Sequence, residues 1–156
     1  MGVSREAYRG KRIEGAGFCA AAADWEQMER RIALGTVGHF GLAVREPQTS
    51  AAWWERVFDL QRIFEGDGYV GLTNENVTIV LSAGVPRPAT IGHISFHLPS
   101  MAALRRALDW LKEQKVRVED PGDEIGPEAP GSPNMGLWFH DPDGYRWELS
   151  VLARPR

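Results

Sequence analysis

A chain of 156 residues with 43% hydrophobic residues is long enough for one domain, or for two small modules that share a core. Its 18 Lys and Arg against 21 Asp and Glu give a formal net charge of -3, with the signs interleaved, so neither nucleic acid nor an anionic membrane is an expected partner. A single cysteine, Cys19, excludes an intramolecular disulfide and fits a reducing, cytoplasmic setting.

In chain order, the apolar stretch 15–23 follows several charged residues and is ended by Asp24, and it is far shorter than the ~20 apolar residues of a membrane span. Residues 18–34 read instead as an Ala-rich amphipathic helix carrying Trp25, Met28 and Ile32 on one side. Residues 1–35 are thus expected to form a helical extension that packs on the domain or on a partner subunit.

From Thr36 onward an internal repeat organises the chain. Thr36-Val37-Gly38-His39 recurs as Thr90-Ile91-Gly92-His93. Each copy runs into a strand (40–44; 94–98), a Pro or Ser break, and a helix with Trp54, Val57 and Phe58 or Leu104, Leu108 and Leu111 at three- and four-residue steps. Three further strands follow in each copy: 60–65, 69–72 and 77–82, then 116–119, 136–140 and 145–152. The order is βαβββ twice, module one spanning 36–83 and module two 90–153, with a stiff linker at 84–89. The second copy is longer by the Pro-, Gly- and acid-rich insertion 121–133, a candidate wall or lid over a site. The expected fold is α+β, two βαβββ modules curving a mixed sheet around a cavity.

Strand parity separates small residues from bulky ones. His39, Gly41 and Ala43 share one face and Phe40, Leu42 and Val44 the other; His93, Ser95 and His97 oppose Ile94, Phe96 and Leu98. The bulky faces belong under the helices, leaving both repeat-related histidines on open faces. Glu148, between Trp147 and Leu149, is costly to bury as a lone charge and calls for a cation. His39, His93 and Glu148 together suit a divalent metal with positions open for substrate. Aligning 77–80 with 147–150 makes Thr78 the counterpart of Glu148, a poor fourth ligand but a candidate substrate contact.

The paired βαβββ units, the two histidines and the run Phe139-His140-Asp141-Pro142-Asp143-Gly144-Tyr145-Arg146-Trp147-Glu148-Leu149 resemble the vicinal oxygen chelate superfamily of glyoxalases, extradiol dioxygenases, epimerases and fosfomycin- and bleomycin-resistance proteins. The resemblance covers residues 34–153 and implies a metal ligand at Glu148. A glyoxalase-like site would carry Glu or Gln where Thr78 is aligned, and a hydroxyl is a poor base near neutral pH. The three-ligand set implies instead a small extradiol-type dioxygenase with Fe(II), acting on a catechol or similar chelator. Non-redox lyase, isomerase or thiol-transfer chemistry with Zn, Ni or Mn is the alternative, and metal-free ligand capture like that of the bleomycin-binding members is another. His97 and His140 are candidate proton relays. Trp138 is a candidate substrate platform and Arg146 a partner for a substrate carboxylate. The short linker and helix-borne tryptophans point to a homodimer.

Overall fold

The computed structural model describes residues 37–120 and 122–153; the expected helix 18–34 and Cys19 lie outside that range. Module one runs β1 (Phe40–Val44), α1 (Pro47–Phe58), β2 (Gln61–Gly66), β3 (Tyr69–Thr73) and β4 (Thr78–Ala83). Module two runs β5 (Ile94–His97), α2 (Met101–Glu113), β6 (Arg117–Val118), β7 (Gly126–Pro127), β8 (Met135–His140) and β9 (Arg146–Val151). The two-residue strand β7 lies within the insertion, where no strand is expected from periodicity, and pairs with the start of β8.

Local chemistry sets the helix ends. Pro47 opens α1, where its missing N–H costs no hydrogen bond, and Asp59 closes it in the left-handed region at φ 54°. Ser100 caps α2, its hydroxyl accepting from the Ala103 N–H at 3.2 Å.

The strands form two mixed sheets, ordered β1-β4-β3-β2 and β5-β9-β8-β6. In each, the first strand lies parallel to the last, β1 on β4 and β5 on β9. The bulky faces point where parity places them: Leu42, Val44, Ile79 and Leu81 in module one, Leu137, Phe139, Trp147 and Leu149 in module two, all buried in one continuous core. Helix α1 joins the modules, since the Trp54 ring sits edge-on 4.7 Å from Trp147 and Phe58 stacks on Phe139 at 5.4 Å. The modules are therefore packed back to back through their helical sides, and the faces that carry the repeat-related histidines look away from that core.

The turn into β9 fastens the modules a second time. Asp141 accepts from the N–H groups of Asp143 and Tyr145 and from the Trp147 indole. Burial pushes its carboxyl upward, while these three donors hold it down. Asp143 reaches across to the first module, accepting from the Ser50 hydroxyl at 2.5 Å and the Arg45 N–H at 3.1 Å. Tyr145 donates its hydroxyl to the Ala43 carbonyl at 2.8 Å. No helix among the described residues is long and apolar enough to cross a membrane.

Replacing Asp143 by Ala strands the buried Ser50 hydroxyl, which costs on the order of 1–3 kcal/mol, and frees the part-buried Arg45 N–H at the module junction. The Asp143→Ala protein is expected to lose about 2–3 kcal/mol in urea-unfolding experiments, whereas a change under about 0.5 kcal/mol would mean that the junction does not depend on this bond.

Candidate metal centre on the second module

The central side chain is Glu148. Alternation along β9 sends Trp147 and Leu149 into the core and Glu148 to the opposite face, where it is only 3% exposed. Its Oε2 stands 3.3 Å from His93 Nε2, and its Oε1 is buried with no hydrogen-bond partner. Native folds seldom leave a buried carboxylate oxygen unsatisfied, because the charge loses its hydration without replacement. Gly136 makes the room: a Cβ there would stand 2.6 Å from Oε1.

His93, Ser95 and His97 from β5 and its approach, Trp138 from β8 and Arg146 and Glu148 from β9 line a cavity of about 500 Å³. Glu128 of the insertion and Asp120 just before it stand on the wall. His97 places Nδ1 2.9 Å from the Ser150 hydroxyl. Arg146 is not free to meet a substrate carboxylate: Nε and one terminal nitrogen each lie 2.8 Å from a different oxygen of Glu119, and the guanidinium sits 5.3 Å from the centre of the Trp138 ring. Arg146 and, less strongly, His140 keep the Glu119 carboxyl below its ordinary value despite partial burial. His140 is tied into the same cluster, Nε2 to Glu119 at 2.8 Å.

Two expectations change at this point. The sheet registers pair Phe40 with Ile79 and Ile94 with Trp147. With His39 matched to His93, the counterpart of Glu148 is therefore Val80, and Thr78 corresponds to Arg146. Thr78 bonds Thr73 at 3.1 Å rather than lining the cavity. His39 is exposed one residue before β1, on the other module, and among the described residues no three His, Cys, Asp or Glu side chains converge within one chain. The structure brings together His93, Glu148, His97, Trp138 and Arg146, and leaves His39, Thr78 and His140 outside. Glu119, Gly136 and Ser150 were not singled out from the sequence. Glu119 and Ser150 lack a local signature, whereas a Gly within a strand signals a close approach.

The donor set fits a divalent metal in part: His93 and the orphaned Glu148 oxygen supply a nitrogen and a carboxylate from one chain, and a further ligand has to come from elsewhere.

A family model described as Glyoxalase/Bleomycin resistance protein/Dioxygenase superfamily matches residues 36–149. No curated protein matches the chain. Among solved structures, the fosfomycin resistance protein FosX from Listeria monocytogenes superposes with a TM-score of 0.62 at 18% identity, over 77% of this chain and 95% of that one. Lactoylglutathione lyase from Agrobacterium tumefaciens gives 0.60 at 14% identity, over 78% and 96%. A glyoxylase/bleomycin resistance protein/dioxygenase domain from Frankia sp. EAN1pec gives 0.61 at 22%, over 77% and 99%. At these identities the likeness is one of fold.

Because the carboxylate occupies the space that Gly136 leaves, Gly136→Ala is expected to displace Glu148 and weaken divalent-metal binding by at least about tenfold with the fold retained. Calorimetric titration with Fe(II) or Mn(II), alongside circular dichroism, measures both; unchanged affinity would remove Glu148 Oε1 from the ligand set.

Proposed function

This chain belongs to the glyoxalase, bleomycin resistance protein and dioxygenase superfamily, and on that premise we propose that it is a metal-dependent enzyme gripping a small molecule by two neighbouring oxygens, specifically an extradiol-type ring-cleaving dioxygenase. The observation that carries this reading is the buried, unpartnered Glu148 oxygen beside His93, combined with Val80 where a fourth ligand would stand. Two imidazoles and one carboxylate with open positions suit Fe(II) and a bidentate substrate better than a closed structural site.

The third ligand is His39 of a second copy of the chain. Support comes from the back-to-back packing: both histidine-bearing faces look outward from one core, so each is available to the complementary module of another molecule. When bound, the metal would lower the pKa of a coordinated substrate hydroxyl and hold a second reactant beside it. The protein's own contribution is placement. Trp138, backed by Arg146 and its Glu119 anchor, offers a fixed aromatic wall for a planar ring. Asp120 and Glu128 close the cavity on the insertion side.

Two measurements test this. Elemental analysis of anaerobically purified protein is expected to find iron near one per chain, with oxygen uptake on a panel of catechols. Zinc, nickel or manganese without oxygen uptake would overturn the dioxygenase assignment in favour of non-redox chemistry, and stoichiometric ligand capture without turnover would overturn the enzyme. Separately, His39→Ala and His93→Ala proteins are expected to be inactive alone. Unfolded and refolded together, they should regain roughly a quarter of wild-type activity, because random pairing gives mixed dimers with one intact site; no recovery would place all three ligands within one chain.

A further inference from the structure

Ser95 and His97 on the cavity wall are joined through Ser150 behind it, a chain of side chains that supplies no ligand to the proposed metal site. The Ser95 hydroxyl, which lines the cavity, stands 3.0 Å from the Ser150 hydroxyl, and Ser150 stands 2.9 Å from His97 Nδ1. Both distances are ordinary hydrogen bonds. Ser95 lies directly across the ladder from Glu148, so the inner end of this chain is beside the proposed metal ligand. Ser150 is completely buried. His97, at the outer end, is exposed and also borders a second crevice of about 500 Å³ between the modules, which gives the ring access to water.

Each hydroxyl has one proton and can accept another bond. Ser150 therefore donates to His97 and accepts from Ser95, or the whole chain reverses when His97 Nδ1 carries the proton. The two polarities differ only by moving one proton per link. Serine hydroxyls are too weakly acidic or basic to hold a charge near neutral pH, whereas an imidazole at the end of the line is suited to do so. His140, the other candidate, has no comparable path, since its Nε2 is held by Glu119 and it is not part of the cavity wall.

From this geometry we infer that Ser95, Ser150 and His97 form a proton relay serving the chelated substrate, with Ser95 as the catalytic hydroxyl and Ser150 and His97 acting through it. The inference rests on the chelating-enzyme reading given above. As a substrate hydroxyl ionises, its proton passes to Ser95 Oγ, the Ser95 proton to Ser150 Oγ, and the Ser150 proton to His97 Nδ1, leaving an imidazolium and two neutral serines. When product forms, the same links run backwards and return the proton to the product oxygen. One proton enters and leaves each atom, and no electrons move through the relay. Asp120, Glu128, Glu148, Arg146 and His93 are the charged and titratable groups that line the same cavity.

The test uses the full chain loaded anaerobically with Fe(II) and mixed in a stopped-flow instrument with 4-nitrocatechol, whose absorption shifts when a hydroxyl loses its proton. Ser95→Ala, Ser150→Ala and His97→Gln are each expected to slow that ionisation by about a hundredfold while changing the probe's dissociation constant by less than about threefold. Ser95→Thr, which keeps the hydroxyl, should restore most of the rate, and free imidazole should rescue His97→Gly. Because Ser150 is buried, the exposed His97 position carries the test should Ser150→Ala fail to fold. Ionisation at the wild-type rate in His97→Gln overturns the relay alone. A wild-type protein that binds no 4-nitrocatechol overturns the chelating-enzyme reading and the relay with it.

Discussion

The strict alternation of side chains along β9 is the constraint on which the site depends. Trp147 and Glu148 are adjacent with opposite requirements: the indole packs between Trp54 and Phe96 in the shared core, and the carboxylate turns to the cavity beside His93. A slip of one residue would bury the charge among aromatic rings and expose the indole. An unpaired buried charge costs several kcal/mol, far more than the roughly 1 kcal/mol that one hydrogen bond returns. With His93 at Oε2 and no hydrogen-bond partner for Oε1 among the described residues, a bound cation would settle the balance.

Register on β9 is in turn held by the Asp141 to Gly144 turn. Asp141 ties the turn to the Trp147 indole, and Asp143 ties it to Ser50 and Arg45 of the other module. The same few atoms thus decide which way Glu148 faces and how the two modules are joined. That economy explains why Asp141 and Asp143 are buried at the module junction while Pro142 and Gly144 of the same turn stay exposed.

Much of this was legible in the sequence because it depends on period and on turn chemistry. The two strand-helix starts, the outward parity of His39 and His93, and the inward parity of Trp147 all follow from alternation. The pairing of Thr78 with Glu148 failed for a definite reason: a two-residue slip keeps every side chain on its face, so parity cannot detect it, and only the ladder shows that Val80 is the counterpart. Partnerships across the fold were equally hidden. Nothing near Arg146 in the chain foretells that Glu119, 27 positions away, takes its guanidinium, or that Ser150 links Ser95 to His97. The back-to-back packing, which separates His39 from His93, is set by which aromatic faces meet and has no period.

Once the register is corrected, the repeat divides labour unequally. Matching strand for strand, module two carries Trp138, His140, Arg146 and Glu148 where module one carries Gly71, Thr73, Thr78 and Val80. The second module carries the charged groups, and the first presents Gly41, Ala43 and Val80 on the matching face, with the Phe64 ring lying over Gly71. Such a face has little with which to bind an ion. Under the proposed function, a planar ligand held against module two would need an opposing surface that does not compete for the metal, and a face of Gly41, Ala43, Val80 and the Phe64 ring meets that condition. Under the proposed function, the asymmetry between the copies is what an open, three-ligand centre would require, since a second acidic residue at position 80 would occupy the coordination position that the substrate's oxygens need.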